Sequence, residues 1–230
     1  MYPASRILSR AVASFPDRPA LIDGDIRLSY RALGERVNRL ANALCDMGLK
    51  RGDRVAILDW NSHRYAEAYY ACAVAGLTFL PLNSRLAAPE LEYIFNDSDA
   101  RAVLMSEPFL DVYEVVRSKA PSLEFSIGMG LEKAPSGFYD YEAMLSSASP
   151  DATPADTGVD DTVQMQLRGH ANVTAHAHID GGFQMNGRAL FRDADDQGEN
   201  HLILVADRCQ VLFAKHGGGR PFDRDPRQVL

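Results

Sequence analysis

The clearest repeating pattern of apolar and polar residues lies between Tyr30 and Met47. Ser29 precedes this segment and can accept hydrogen bonds from the first free N–H groups of a helix, while Gly48 follows it as a left-handed stop. The apolar residues recur at the spacing of one helix face, and they are Tyr30, Leu33, Val37, Leu40, Ala41, Leu44 and Met47. The pattern therefore predicts an amphipathic helix over residues 30–47.

Short apolar runs and helical segments alternate over the following hundred residues. Strands are predicted at 54–58, 77–80, 102–105 and 123–127, and helices at 63–75, from Pro89 onward, at 109–119 and at 139–145. The helix at 63–75 is apolar on almost every side, so we expect it to be buried against several neighbours. A strand, a helix and a second strand within about 30 residues form a βαβ unit with a right-handed crossover. The alternation predicts an α/β fold with a parallel sheet flanked by helices.

The composition changes further along the chain. Residues 146–161 are small, polar and rich in turn-forming residues, which predicts a linker or a long surface loop. Beyond them, the strand patterns at 202–206 and 211–213 lack predicted partner strands, so we expect residues 167–230 to be poorly packed. We therefore divide the chain into an α/β region at 4–166, which includes the linker, and a divergent, incomplete region at 167–230.

The composition is that of an ordinary globular protein, and it argues against several classes of protein. Of the 230 residues, 46% are hydrophobic and 24% are charged, which excludes a wholly disordered or collagen-like chain. The net charge of −7 argues against nucleic-acid binding, because that binding depends on neutralising phosphates. The three cysteines, Cys45, Cys72 and Cys209, are too scattered for a disulfide framework or a cysteine zinc site, and the first two are predicted to be buried free thiols.

No segment is predicted to cross a membrane. The longest uncharged run, at 68–84, is interrupted by Gly76 and Pro81 and is shorter than the ~20 residues of a spanning helix. The first residues lack the apolar core of a secretory signal, so we expect a cytoplasmic protein.

Six blocks of sequence, in a set order and spacing, carry a family resemblance. They read FPDRPAL at 15–21, LSYR and VNRLANAL between 28 and 44, GDRVAIL at 52–58, NS at 61–62, PLN at 81–83, and ELEYI and NDS between 90 and 98. The series resembles the N-terminal part of the AMP-forming acyl-CoA synthetases, which are adenylate-forming ligases, over roughly residues 4–166. The resemblance implies a parallel α/β subdomain of a larger, two-domain enzyme.

The resemblance also implies an activity. Enzymes of this family activate a carboxylic acid with ATP and Mg²⁺ to form an acyl adenylate, and they then pass the acyl group to coenzyme A, as in fatty acid metabolism. ATP, Mg²⁺ and coenzyme A are therefore the implied cofactors, and a small carboxylic acid is the implied substrate.

The phosphate-binding loop of that family is missing from the place where the resemblance puts it. The loop is rich in Ser, Thr and Gly, ends in Lys and follows a strand, so that its backbone N–H groups can hold the phosphates of ATP. Residues 162–166 resemble the preceding strand, but residues 167–170 are Leu, Arg, Gly and His. Residues 170–173 resemble the segment that follows the loop, as though the loop had been skipped.

The chain also ends before two further parts of the family pattern, the acidic nucleotide-binding motifs and the small C-terminal domain with its catalytic Lys. Residues 222–230 resemble a helix start from further along the same domain. We therefore interpret the chain as an incomplete ligase that is inactive alone and binds these cofactors poorly, with no assignable catalytic or cofactor-binding residue. The alternative is a non-catalytic remnant or binding module that retains only the α/β scaffold.

Two motifs in the last third of the chain resemble hydrolase signatures. His176, His178 and Asp180 have the H-x-H-x-D spacing of a metal hydrolase, but Gly181 stands where a further His should follow. Residues 216–219 (HGGG) resemble an esterase oxyanion segment, but the sequence contains no G-x-S-x-G nucleophile motif. A metal or serine hydrolase is therefore a remote alternative, and we predict no metal site.

Two other motifs are incomplete. Residues 193–198 begin like a calcium-binding loop, but Leu204 occupies the place of the bidentate Glu. Gly128 and Gly130 follow a predicted strand, but Lys133 replaces the last glycine of a dinucleotide-binding G-x-G-x-x-G motif. Neither motif predicts a site.

One histidine and four aromatic residues are better explained by the fold than by a binding site. His63 lies near a predicted helix start and is expected to be exposed. Trp60 and three tyrosines are interpreted as core or domain-interface residues rather than as a stacking platform, and these tyrosines are Tyr65, Tyr69 and Tyr70.

Overall fold

The computed structural model describes residues 4–152, 162 and 164–165 in full. For Leu190–Phe191, Leu202–Val205 and Cys209–Leu212 it describes the backbone alone.

Helices and strands alternate through the described part of the chain. In chain order they are α1 (Ala4–Ser14), β1 (Pro19–Asp23), β2 (Ile26–Ser29), α2 (Tyr30–Asp46), β3 (Arg54–Leu58), α3 (His63–Ala75), β4 (Thr78–Pro81), α4 (Ala88–Ser98), β5 (Ala100–Met105), a 3-10 turn (Glu107–Phe109), α5 (Leu110–Arg117), β6 (Phe125–Gly128), β7 (Tyr139–Asp140), α6 (Tyr141–Ser147), β8 (Leu190–Phe191), β9 (Leu202–Val205) and β10 (Cys209–Leu212).

A parallel sheet forms the centre of the fold. Within the described residues its strand order is β4-β3-β5-β6-β7, and every neighbouring pair is parallel. Gln164 adds a parallel bridge to Phe79 on the outer side of β4. The predicted α/β fold, with a parallel sheet flanked by helices, is confirmed.

The strands bury alternate side chains on the two faces of this sheet, as the two-residue period of a strand requires. On β3, Val55 and Ile57 face the cluster formed with α1, α2, α3 and α6. Ala56 and Leu58 face the opposite cluster, which is formed with α4 and α5. The sheet is therefore covered by helices on both faces, which explains why its strands read as continuous apolar runs.

The ends of α2 and α3 match the sequence prediction closely. Ser29 Oγ accepts a hydrogen bond from Ala32 N at 3.2 Å, and Gly48 has a φ of +97°. The helix α3 ends at Gly76, whose φ is +70°. These glycines stop the helices because a left-handed residue without a Cβ carries no steric penalty.

Two predicted helices begin later than their patterns indicated. The helix predicted at 109–119 is a 3-10 turn followed by α5. The helix predicted at 139–145 starts at Tyr141, because residues 139–140 pair with β6 as strand β7. Asp140 then caps α6, with its Oδ1 accepting from Ala143 N at 2.7 Å. Strand pairing therefore delayed the start of α6.

The second sheet corrects an expectation about the end of the chain. β1 and β2 form an antiparallel hairpin, and β10 pairs with the other edge of β1. β9 pairs with β10, and β8 pairs with β9. The expectation that the strand patterns at 202–206 and 211–213 lack partners is wrong, because the open edge of β1 pairs with β10, and β10 in turn pairs with β9. The division at residue 166 and the packing of 167–230 stay predictions.

The two cysteines whose side chains are described, Cys45 and Cys72, are both free. Cys72 is fully buried on α3, and burial raises the pKa of its thiol. Cys45 is half-buried, so the prediction of a buried thiol is confirmed for Cys72 and only in part for Cys45.

Candidate functional site

The strand order reverses next to β3. The chain passes from β3 to β4 on one side and then crosses back to place β5 on the other side of β3. In parallel α/β sheets, ligands bind outside the carboxyl ends of the strands at such a switch point. The candidate site is therefore formed by the residues that directly follow β3 and β5.

Asp59 joins the two loops at this switch point. Its Oδ1 accepts hydrogen bonds from the backbone N–H of Trp60 at 2.7 Å and from Ser106 Oγ at 2.5 Å. Its Oδ2 accepts from Ser62 Oγ at 3.0 Å, and Ser62 Oγ in turn accepts from Tyr65 N at the start of α3. One carboxylate thus fixes the loop after β3, the loop after β5 and the N-terminus of α3.

The environment of Asp59 raises the pKa of its carboxyl group. Burial raises the pKa of this carboxyl, and the hydrogen bonds from Ser106, Ser62 and Trp60 oppose that rise without cancelling it. A carboxyl with a raised pKa at a switch point is a candidate for proton transfer. Both of its oxygens are already engaged by the protein, however, so the geometry supports a positioning role for Asp59.

We expect Asp59→Asn to flatten the pH dependence of stability. The stability contributed by a carboxyl with a raised pKa is fully present below the unfolded pKa of about 3.9 and is lost as the pH rises through the folded pKa. The variant should therefore gain stability relative to the wild type as the pH rises from 4 to 7. Urea unfolding across this range, with the exposed Asp97→Asn as control, measures the difference. Parallel curves for the wild type and Asp59→Asn would contradict the prediction.

The indole of Trp60 projects from this site. It is 55% exposed, and its ring packs against Phe109 with centroids 5.5 Å apart. This exposure excludes a core position for Trp60, and the alternative of a domain-interface position stays a prediction. The core interpretation of the three tyrosines is confirmed, because all three are buried, namely Tyr65, Tyr69 and Tyr70.

A buried His–Asp pair lies at the start of α3. His63 is only 5% exposed, so the expectation that it is exposed is wrong. Its backbone N–H donates to Asp23 Oδ2 at 2.9 Å, and its Nδ1 lies 2.7 Å from the same oxygen. Burial raises the pKa of Asp23, but the hydrogen bonds from His63 outweigh it and lower the pKa. The end of β1 therefore covers the start of α3. Because the two residues are 40 positions apart, no local sequence pattern could predict this contact.

Four charged side chains link α2, α3 and α6. Arg36 donates to both oxygens of Glu67, at 2.6 and 3.1 Å, and to both oxygens of Glu142, at 3.0 Å each. Arg64 Nε donates to Glu142 Oε1 at 3.1 Å, and Tyr141 OH donates to Glu67 Oε2 at 2.6 Å. Glu67 is fully buried. A single acidic residue in an otherwise apolar helix was the sequence signal for this network, because buried charges require partners.

The partners also shift the pKa values of this network. Burial lowers the pKa of Arg36, but its hydrogen bonds with Glu67 and Glu142 outweigh burial and raise it. Burial raises the pKa of Glu142, but the hydrogen bonds from Arg36 and Arg64 lower it overall. Both shifts favour the charged forms of Arg36 and Glu142, as their ion pair requires.

The glycine motif after β6 serves packing. Gly130 has a φ of +66°, and a Cβ there would lie 2.8 Å from Arg64 Nη1. The next helix, α6, begins only at Tyr141, so the arrangement differs from a dinucleotide-binding turn, in which a helix starts at the glycine motif. The positive φ is what favours a glycine at this position, and the missing Cβ also lets the Arg64 guanidinium pack close to the backbone.

The hydrolase-like and calcium-like motifs cannot be placed in the candidate site. The residues of the two hydrolase motifs and of the calcium-like loop lie outside the residues whose side chains are described, namely His176, His178, Asp180, 216–219 and 193–198. Where side chains are described, no group of three or more His, Cys, Asp or Glu residues could hold a metal ion. None of the helices described is long and apolar enough to cross a membrane, and the cytoplasmic location stays a prediction.

The segment predicted to precede the phosphate loop lies beside β4. Met165 N donates to Phe79 O at 2.9 Å, and Thr78 Oγ1 donates to Thr162 O at 3.2 Å. Because Gln164 pairs with Phe79 in parallel, this segment points toward the sheet edge that carries Asp59. Of the predicted strand at 162–166, the described residues form one parallel bridge, between Gln164 and Phe79.

Known proteins resemble most of the described region. Residues 8–166 match the family described as AMP-binding enzyme. The chain is 30% identical over 159 residues to the long-chain-fatty-acid–CoA ligase FadD13 of Mycobacterium tuberculosis, which covers 67% of this chain and 30% of the relative. It is 45% identical over 93 residues to a feruloyl-CoA synthase of Amycolatopsis sp, which covers 40% of this chain and 19% of the relative.

Solved structures resemble the same region. The anthranilate CoA ligase AuaEII in complex with anthranoyl-AMP matches 71% of this chain and 32% of its own, with a TM-score of 0.69 and 25% identity. The inhibitor-bound N-terminal domain of FACL13 from Mycobacterium tuberculosis matches 72% of this chain and 40% of its own, with a TM-score of 0.65 and 28% identity. The chain thus spans less than a third of the length of the curated relatives named above.

Proposed function

We propose that this chain, which belongs to the AMP-binding enzyme family, carries the N-terminal α/β scaffold of a carboxylic acid–CoA ligase and does not form an acyl adenylate by itself. The fold described above is that of the N-terminal domain of acyl-CoA ligases. Members of the family use ATP and coenzyme A. The substrate class that we propose for a ligase built on this scaffold is a carboxylic acid, in keeping with the printed names of its relatives.

The scaffold supports the first half of the proposal. The switch point, with Asp59 joining the loops after β3 and β5, is where a parallel α/β sheet binds its ligands. The bridge between Gln164 and Phe79 adds the segment from which the family's phosphate loop would emerge. These features favour a scaffold that has kept the family geometry up to Met165.

The sequence after Met165 carries the second half of the proposal. A triphosphate is held by successive backbone N–H groups of a glycine-rich loop, together with hydroxyl and Lys side chains. Residues 167–170 are Leu, Arg, Gly and His, and they offer neither a hydroxyl nor a Lys. These residues do not fit ATP and its Mg²⁺, so we derive no chemical step through the nucleotide.

ATP–pyrophosphate exchange tests the proposal. The purified chain, incubated with ATP, labelled pyrophosphate and a panel of fatty and aromatic carboxylic acids, should give no exchange above the background without protein. The long-chain-fatty-acid–CoA ligase of Mycobacterium tuberculosis, assayed with a long-chain fatty acid, serves as the positive control. Exchange that depends on any of the acids would overturn the claim that this chain cannot adenylate.

A non-catalytic remnant or binding module is the second candidate, and the same sequence at 167–170 favours it. The nucleotide sequence around codons 165–220 separates the two candidates. A deletion or reading-frame break there supports a remnant, whereas a continuous ligase frame in the parent gene supports a scaffold that belongs to a longer enzyme.

A further inference from the structure

Three polar side chains on α2 hold the segment that leaves α6. We call Asn38, Arg39 and Asn42 the α2 clasp. All three donate hydrogen bonds to backbone carbonyls rather than to side chains. The bonds run from Asn38 Nδ2 to Pro150 O (2.9 Å), from Arg39 Nη1 to Leu145 O (3.3 Å) and Ala148 O (2.5 Å), and from Asn42 Nδ2 to Ser149 O (2.8 Å) and Asp151 O (2.9 Å).

The clasp supplies hydrogen-bond donors to backbone carbonyls of the segment that it binds. Residues 38, 39 and 42 lie on one side of α2, because positions four apart on a helix are neighbours. The last carbonyls of α6 have no partners within the helix, and Arg39 places a cation at that negative helix end. Residues 149–151 are exposed and lie outside any helix or strand, so the clasp supplies hydrogen bonds that secondary structure does not.

We propose that the α2 clasp is an intramolecular docking site for residues 145–151, which fixes where the chain leaves the helical layer on its way to β4. The composition at 146–161 had predicted a linker beginning at residue 146. With the clasp in place, the connection to Thr162 starts only after Asp151. The inference concerns the path of the chain and does not depend on the proposed function.

The clasp should act locally. Shortening a connection by a few residues changes the probability of closing it by less than about twofold. The pairing of Met165 with Phe79 should therefore respond only weakly to loss of the clasp. Within the clasped segment, Ala148 N donates to Met144 O and Asp151 N donates to Ser149 Oγ. Exchange at these two amides should respond strongly, because the segment that carries them is held less firmly once its carbonyls lose their partners.

Residue-resolved amide hydrogen exchange of the double variant Asn38→Ala/Asn42→Ala tests the clasp. The variant removes the three hydrogen bonds to residues 149–151, so exchange at Asp151 should accelerate by about tenfold or more. Exchange at Ala148, whose carbonyl Arg39 still binds, should accelerate by a smaller factor. Exchange at Met165 should change by less than about twofold. Asn96→Ala on α4 is the matched control, because its amide also donates to a carbonyl of another segment, Lys119 O at 3.0 Å. It should leave Ala148 and Asp151 unchanged.

Two results would overturn the proposal. Unchanged exchange at Ala148 and Asp151 in the double variant would show that the clasp does not hold the segment. Equal acceleration across the sheet, for instance at Leu104, would assign the effect to global unfolding instead. Pyrophosphate exchange is not a readout here, so failure of the clasp and failure of the proposed function are separate outcomes.

Discussion

Arg36→Met is expected to lower the free energy of unfolding by about 3–5 kcal/mol, because it leaves the Glu67 carboxylate buried without its cationic partner. Glu67 is completely buried on α3, and the Arg36 side chain is 26% exposed. The substitution removes both hydrogen bonds between Arg36 and Glu67 and both between Arg36 and Glu142. Urea unfolding at pH 7, followed by far-UV circular dichroism, measures the loss.

Arg31→Met on the same helix is the matched control. Arg31 pairs with Asp17, but the two side chains are 55% and 81% exposed, so loss of this pair should cost less than about 1 kcal/mol. Equal losses for Arg31→Met and Arg36→Met would show that burial does not set the value of the Arg36 network.

The double variant Arg36→Met/Glu67→Gln distinguishes two causes of the lost stability. One is the loss of the attraction between the two side chains, and the other is the burial of an unpaired Glu67 carboxylate. If the cost of Arg36→Met comes from an unpaired carboxylate, then removing that charge should recover part of the stability. The double variant should therefore be less destabilised than the sum of the single variants. Strict additivity would contradict this explanation.

Phe79→Ala should lower the free energy of unfolding by about 3–5 kcal/mol, because it opens a cavity where the central sheet meets α3. Phe79 is 1% exposed on β4, and its ring makes edge contacts with Tyr65 and Tyr69 at centroid distances of 5.4 and 5.5 Å. The backbone carbonyl of the same residue binds Met165 N. The same urea unfolding measurement tests the loss.

Two control variants show whether the loss of stability in Phe79→Ala comes from the cavity. Phe79→Leu nearly preserves volume and should cost less than about 1.5 kcal/mol. Val115→Ala removes a side chain that is 57% exposed and should change stability by less than about 0.5 kcal/mol. A loss for Phe79→Ala no larger than that for Phe79→Leu would mean that the site closes around the cavity.

The buried charges of this protein serve its architecture. Buried charged groups often mark active sites, but structural ion-pair networks contain them as well. The Glu67 carboxylate accepts three hydrogen bonds, two from Arg36 and one from Tyr141, and these connect three helices. Asp59 similarly connects two loops and a helix start. Both acids therefore hold the scaffold around the switch point in place.

Local sequence determined the helices, most of the strands and the family. The period of apolar residues in α2, its cap at Ser29 and its stop at Gly48 are all within a few residues of the structure that they specify. Alternating runs of this kind were sufficient to predict a parallel α/β sheet. The missing hydroxyl and Lys residues at 167–170 could also be read directly from the sequence.

Only the tertiary structure decided which polar residues meet. Glu67 binds Arg36, 31 positions away, and His63 binds Asp23, 40 positions away. The α2 clasp reaches carbonyls more than 100 positions further along the chain. Periodicity specifies which face of an element is buried, because that depends on near neighbours in the chain. It does not specify which elements pack together, and a hydrogen bond forms only when packing brings donor and acceptor within about 3 Å of each other.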